Sequence, residues 1–383
     1  MSLIATKMQD FVELNPRFDK NMVRQQEYGA WDFFVEQTNA PNSIITEATK
    51  QKALASIGNT VKIPVINYDG NVTVANVRSC TIPANDNTSA LVTVTFVTYA
   101  TGFRMFPNEH LNNDISYQHD FNRKVEKILR KLANTLDTAA IAALETAKTQ
   151  VYKDNLIYTV SGNALQVPYA YRGEILGDLN PIMRANDYSG QIHVIGNAGV
   201  DSLVRKLAQH GLYNDENKRM EYADKVFHFT NNLANASGKY GSLYAVEDGN
   251  VAILTRLDRA ALAGSRLNEA EEFDRVYIPT LGIEVGTHYK KEVGNVASMQ
   301  EGNTSVADMV CDLVEYFGFS VDVAFLTAYN SAPSTIANPI VKAEIGAPAA
   351  GAAAAYDVNV VGSAGITIAN TSDNPVLTQE VTP

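Results

Sequence analysis

The chain is short of the residue patterns that carry catalysis. Its 383 residues include two cysteines, Cys80 and Cys311, which lie far apart and form no C-x-x-C arrangement. A disulfide framework or a thiolate zinc site needs more cysteines, or closer ones. Two buried free thiols are the simpler expectation. The six histidines are His110, His119, His193, His210, His228 and His288, with no H-x-x-x-H pair and no cysteine at zinc-ligand spacing. No G-x-S-x-G elbow, G-x-G-x-x-G fingerprint or G-x-x-x-x-G-K-[ST] loop occurs. Gly196-Asn-Ala-Gly199 sits between strand and helix signals, where a helix N-terminus favours an anion, but it reads as a plain turn. Asp69-Gly70 and Asp248-Gly249 resemble fragments of calcium loops. In that register the first ligand falls on Val65 or Tyr244 and the twelfth on Asn76 or Thr255, none of them a carboxylate. The expectation is no metal, no cofactor and no enzyme.

Also absent are a run of ~20 apolar residues, so no membrane span is expected, and a secretory leader. The first residues carry Asp10 and Glu13 and no apolar core. The chain therefore reads as one made in a cytoplasm. A basic surplus is missing too: the formal net charge is -11 and the pI about 5.1. Phosphate binding rests on a basic surface, which argues against a dedicated nucleic-acid binder. What is present is an ordinary globular composition, 45% hydrophobic and 19% charged, in a chain long enough for two or three domains.

Residues 1–56 are mixed and polar with helical patches. Val23, Tyr28, Trp31 and Phe34 lie among charges without a long stripe, as in an arm that packs on something else. The pattern then turns to β. Val61, Ile63 and Val65 alternate with Thr60, Lys62 and Pro64, the period of a one-faced strand. Asp69-Gly70 signals a hairpin turn, and residues 72–78 read as a second strand. Residues 91–99 (LVTVTFVTY) read as a third, rich in β-branched and aromatic side chains. Such a ribbon is marginal alone. Between 117 and 150 there is no Pro or Gly, and Phe121, Val125, Leu129, Leu132, Leu136, Ala140 and Leu144 share one helical face. At 1.5 Å per residue that helix exceeds about 45 Å.

Residues 171–263 alternate helix and strand signals. A helical stretch broken or begun by Pro181 precedes a short buried strand at 191–195. A helix over 200–209 and a strand at 225–229 follow, then a hairpin over 244–254 turning at Asp248-Gly249. Residues 274–292 are β again. Met309, Leu313 and Tyr316 suggest a helix over 305–316, and 319–328 a closing strand. Residues 343–356 are Ala/Gly-rich and read as a linker or short helix, with a last small hairpin at 357–361 and 365–369.

This order of parts resembles the Hong Kong 97-like fold of tailed-bacteriophage major capsid proteins. Locally, Ile192-His-Val-Ile-Gly-Asn197 with Leu203, Leu207, Gly211 and Tyr213 is similar to that family's strand–Asn–helix segment, and residues 319–327 to its last strand. The likeness covers roughly residues 15–330. It implies an α+β chain with an N-terminal arm (1–56), a β-hairpin E-loop (57–103), and a P-domain with a long spine helix (104–160 and 274–318). The α/β A-domain would be 161–273 and 319–334, with a linker and tail at 335–383.

The implied function is self-assembly into hexamers and pentamers of an icosahedral shell around double-stranded DNA. That places the chain in a virion capsid assembled in the host bacterial cytoplasm. The implied partners are the chain itself, a portal, scaffolding or decoration proteins, and packaged DNA held non-specifically, with no membrane. Intersubunit contacts are expected at Lys62, Tyr68, Arg78, Phe96, Arg104, Glu109 and Arg130. The outer helix face with Arg123, Lys124, Lys127, Arg130 and Lys131 is either solvated or set against a neighbour or nucleic acid. An encapsulin compartment shell would share the fold. An α/β enzyme with an appended β domain is the reading from another class.

Overall fold

The computed structural model describes residues 27–54, 56, 58–66, 89–110, 116–149, 151–152, 158–207, 213–214, 219–222, 225–257, 266–268, 270–297 and 309–348. In chain order, α1 (Gly29–Asn39) and α2 (Glu47–Leu54) precede β1 (Thr60–Ile66), β2 (Ser89–Thr95) and β3 (Val97–Met105). Next come α3 (Tyr117–Ala147), β4 (Thr159–Ser161), β5 (Ala164–Val167), α4 (Ile175–Arg184), β6 (Ile192–Gly196) and α5 (Ala198–Leu207). The strands β7 (Tyr213–Asn214), β8 (Arg219–Tyr222), β9 (Lys225–Phe229), β10 (Lys239–Glu247) and β11 (Val251–Arg256) follow. Last are β12 (Arg266–Asn268), β13 (Glu271–Ile278), β14 (Ile283–Ala297), β15 (Met309–Thr327) and β16 (Ile340–Gly346). The described residues form two compact units. One holds those within Ile45–Leu136 and Ile253–Leu326; the other holds those within Gln25–Ile44, Asp137–Ala252 and Thr327–Pro383.

The first unit is built on a six-stranded sheet in the order β11-β15-β14-β13-β12, with β3 paired to β15. The part of α3 in this unit lays Phe121 edge-on against Phe103 and Phe317, at 5.5 and 5.1 Å. Val125, Leu129, Leu132 and Leu136 are buried with it, as the helical spacing predicts. Beneath the start of α3, the buried carboxylate of Glu315 accepts the hydroxyls of Tyr117 and Tyr289, the latter at 2.7 Å. Burial and the bond to Glu315 push both phenols well above their usual range. Glu315→Ala leaves the buried Tyr289 hydroxyl unmet and takes one partner from the half-buried Tyr117, and at about 1–3 kcal/mol for an unmet buried group the expected loss is about 2 kcal/mol. Urea unfolding monitored by circular dichroism measures it.

The second unit is built on an eight-stranded sheet in the order β4-β5-β16-β10-β6-β9-β8-β7. β6 is buried along its whole length. Its core combines Ile175 and Leu179 of α4, Val200 and Val204 of α5, and Val194, Leu243, Ala245, Val341, Ala343 and Ile345 of the sheet. Gly199 lets α5 approach β10, since a Cβ there would run into the Tyr240 carbonyl. α1 is docked here, with Trp31, Phe33 and Phe34 fully buried, rather than extended as a free arm. Asp137 of α3, itself fully buried, accepts the first-turn N–H of Trp31 at 2.9 Å, the Thr230 hydroxyl at 2.5 Å and the Asn232 amide at 2.7 Å. Phe33 lies 5.1 and 5.3 Å from the rings of His193 and His228, whose nitrogens are 3.1 Å apart.

Asp32, exposed on the same helix, is raised from 3.8 to about 6 by loss of hydration and then by the charges of Asp137 and Glu36. The folded state therefore holds this proton more tightly than the unfolded chain does. Its penalty is absent below pH 3.8 and complete above about 6. Because the side chain is exposed, the penalty stays below ~1 kcal/mol. Asp32→Asn raises the unfolding midpoint slightly at pH 7 and leaves it unchanged at pH 3.5; denaturation at the two pH values checks this.

Four sequence expectations are corrected. The turn at Asp248-Gly249 exists, with Gly249 at φ +78, but it closes no hairpin. Both edges of β10 are already taken, by β16 and β6, so β11 joins the other sheet instead. The helix expected over 305–316 is strand from Met309 onward. β14 pairs with Met309–Ser320 and β3 with Glu315–Val323, and these long ladders override a helical spacing of three apolar residues. The linker expected from 343 begins instead as β16, where Ala343 and Ile345 are fully buried; the Ala/Gly run beside it hid the alternation. Pro181 lies inside α4 without breaking it. It is exposed, and the residue four back is Gly177, with open space around it. The strand expected at 72–78, the turn at Asp69-Gly70 and the hairpin at 357–369 lie outside the described residues.

Candidate assembly surface

β1 and β2 pair antiparallel, Thr60 opposite Thr95 through Ile66 opposite Ser89. Among the described residues they pair with no other strand. Alternation gives the ribbon two faces. Val61 and Val94 are buried, with Ile63, Val65 and Val92 half-buried beside them. The other face presents Lys62, Thr93, Pro64 and Leu91, all exposed; Leu91 has 64% of its surface open. Leu91 and the exposed Pro64 opposite it put apolar surface on the open face of the ribbon. α2 steadies the base, where Lys52 Nζ donates to the Lys62 carbonyl at 2.6 Å.

The run expected as one strand over 91–99 divides at Phe96. β2 turns to β1, and β3 turns to β15. The exposed face of β3, β15 and β14 carries an open groove of about 690 Å³. Its floor is low because Gly102 stands opposite Gly318, and a Cβ on Gly102 would come within 2.8 Å of the Phe317 carbonyl. Arg104, Tyr316 and Lys290 stand side by side along the rim. Lys290 Nζ reaches Glu292 at 2.5 Å. That bond and one from Tyr316 hold the Glu292 carboxyl below its usual range. The groove is open and lined by charges of both signs, Arg104 and Lys290 with Glu292.

The residues singled out from sequence are dispersed. Lys62 is exposed on the ribbon and Arg104 on the groove rim, the latter 5.3 Å from the Phe106 ring. Phe96 is 3% exposed under the guanidinium of Arg256. Arg130 reaches Glu126 on its own helix at 2.5 Å. Glu109 lies in the 3-10 turn Pro107–His110. Tyr68 and Arg78 lie outside the described residues. Along α3, Arg123 pairs with Glu126 at 3.1 Å and Lys124 with Asp120 at 2.8 Å, while Lys127 and Lys131 are exposed. Arg123 and Arg130 share the one carboxylate of Glu126, so the face keeps a surplus of positive charge.

Arg256, Asp322, Tyr316 and Leu91 were missed. Arg256 and Asp322 carried a readable signal, being lone opposite charges inside apolar runs, VAILTR and FSVDVAF. Buried charges of that kind are normally paired. Asn197, in the turn before α5, is occupied within the protein: its amide donates to Asn235 at 2.5 Å and its oxygen accepts the Ser242 N–H at 3.3 Å. No cluster of His, Cys, Asp or Glu among the described residues could hold a metal ion. No described helix is long and apolar enough to cross a membrane.

Two sheets, a 31-residue helix and a two-stranded ribbon make this a mixed α/β chain. Solved structures that resemble it include chains of phage capsids. A chain of the cyanophage Pam1 capsid asymmetric unit aligns over 88% of this chain and 97% of its own, with TM-score 0.51 and 9% identity. The mature capsid of bacteriophage PhiM1 aligns over 87% and 90%, with TM-score 0.46 and 9% identity. The Mycobacterium phage Che8 structure aligns over 86% and 96%, with TM-score 0.45 and 11% identity. At these identities the likeness is one of fold, and the Pam1 chain carries it. No protein-family model and no curated protein matches the sequence.

Proposed function

We propose that the chain is the major capsid protein of a tailed bacteriophage, a structural subunit that closes into an icosahedral shell of hexamers and pentamers around double-stranded DNA. The observation that carries this reading is the β1–β2 ribbon, which pairs with no other described strand and turns Leu91 and Pro64 outward. A two-stranded ribbon is marginal by itself; laid on a neighbouring subunit, its outward face is covered. In this reading the ribbon is the E-loop and α3 the spine helix. Lys62, Tyr68, Arg78, Arg104 and Glu109 form ion pairs or polar contacts between subunits. Phe96 and Arg130 act through the elements they steady. Exposed pairs are worth only ~0–1 kcal/mol each, but a closed symmetric cage repeats each one in every subunit.

The virion capsid is the site of action, assembled in the host bacterial cytoplasm. Further copies of the chain are the main partners, joined by a portal and by scaffolding or decoration proteins. DNA contact is non-specific, in keeping with a chain of net charge -11. Negative-stain electron microscopy of the purified protein tests the reading. Shells, or hexameric and pentameric rings, are expected; a uniform monomer that never assembles under any condition would sink it.

A further inference from the structure

The ribbon's attachment to its unit converges on one side chain. Arg256 ends β11, and its guanidinium is buried against Asp322 of β15, the two side chains being 8% and 2% exposed. Nε and Nη2 both donate to Asp322 Oδ2, at 3.1 and 2.8 Å. The other donors turn to the chain just before β1. Nη1 donates to the Ser56 carbonyl at 3.1 Å, the Ser56 hydroxyl at 3.0 Å and the Gly58 carbonyl at 2.5 Å, and Nη2 reaches Asn59 Oδ1 at 3.5 Å. Its Cζ lies over the ring of Phe96, 4.8 Å from the centroid, and Phe96 is the single residue between β2 and β3. The neck is closed by the Phe96 N–H, which donates to the Asn59 carbonyl at 2.8 Å. Thr98, just beyond on β3, donates to the other oxygen of Asp322 at 2.6 Å. Both strands of the ribbon are thus tied at their base to one guanidinium.

We infer that Arg256 is the positioning residue of the ribbon, setting the direction in which it leaves the sheet and so governing assembly without touching a neighbour. The inference rests on the assembly reading above. Only arginine meets the requirement: a planar fork that satisfies a carboxylate on one edge and backbone carbonyls on the other while stacking on an aromatic ring. Lysine supplies one mobile charge. A buried ion pair that merely supports the sheet would have no need of bonds to the residues at 56–59.

The test separates these roles. Arg256→Met alone strands the Asp322 charge and can fail to fold, so the informative variant is Arg256→Met with Asp322→Asn. Removing both charges of a buried pair at similar volume is close to neutral for the fold, while the ribbon loses every bond that the guanidinium makes at its base. Spin labels are placed at Thr93→Cys on the ribbon and Glu284→Cys on β14, both exposed, in full-length chain with Cys80 and Cys311 replaced by serine. Dipolar spectroscopy then reads the ribbon-to-sheet distance. The expected result is a narrow distribution in the parent, a broad one in the double variant and in Arg256→Lys, an unchanged urea midpoint in the double variant, and loss of closed shells. A distribution as narrow as the parent's, or broadening only alongside a lowered midpoint, overturns the inference. If the parent forms no shells while the distances behave as stated, the assembly reading fails and the positioning role stands.

Discussion

Replacing residues 67–88 with an Asn-Gly turn leaves a folded protein that no longer closes into shells. Ile66 and Ser89 face each other at the end of the β1–β2 ladder. A two-residue turn can therefore join them with the twist that antiparallel strands require. The bonds that hold the first unit lie elsewhere. Arg256 binds Asp322 and the base of the ribbon, and Glu315 binds Tyr117 and Tyr289. Circular dichroism and the urea midpoint should match the parent. What is lost is reach, because a ribbon of seven residues per strand spans only ~23 Å. In a cage built from many weak contacts, removing one from every subunit removes it everywhere. Closed shells from the shortened chain would show that this segment is not the bridging element.

Asp137→Ala is expected to destabilise the second unit by about 4 kcal/mol. Three donors converge on this buried carboxylate, and each one left unmet costs about 1–3 kcal/mol. One of them is a first-turn N–H of α1, a group with no partner inside its own helix. The change therefore acts first on the docking of α1. The protein has one tryptophan, Trp31, in that helix, so its fluorescence reports the event directly. The variant should show a red-shifted, early transition in urea ahead of the loss of β structure. Asp137→Asn keeps the shape and one acceptor and should lose less. A single transition at the parent midpoint would show that α1 is held by its aromatic face alone. Either variant also removes a charge beside Asp32, whose raised carboxyl should return toward 3.8.

Local pattern was enough for the elements whose burial is decided along one segment. The stripe from Phe121 to Leu144 specified α3, and the alternation at Val61, Ile63 and Val65 specified β1, because helical and strand periods are properties of the chain itself. The run Ile192-His-Val-Ile195 likewise read as buried strand. The failures share a different cause. Whether Val251–Arg256 turns back on β10 depends on whether β10 has a free edge. Whether residues 309–316 coil or extend depends on a ladder to β14 and, at Glu315 and Tyr316, on one to β3 far back in the chain. The candidate contacts were picked one by one from the sequence, and the structure places them apart. Lys62 and Arg104 lie at the surface, whereas Phe96 and Arg130 are engaged within the chain.

By itself, the sequence determined that this is an acidic chain of mixed helix and strand, with a β ribbon and one long amphipathic helix. It did so through composition and period, which need no partner. Only the tertiary structure decided that Arg256 and Asp322 meet, that Glu315 sits between two tyrosines, and that Asp137 caps α1. These are charges removed from water, tolerable only where distant segments bring them a counter-charge or donors. Such pairings are set by the packing of the whole sheet and not by neighbours in sequence.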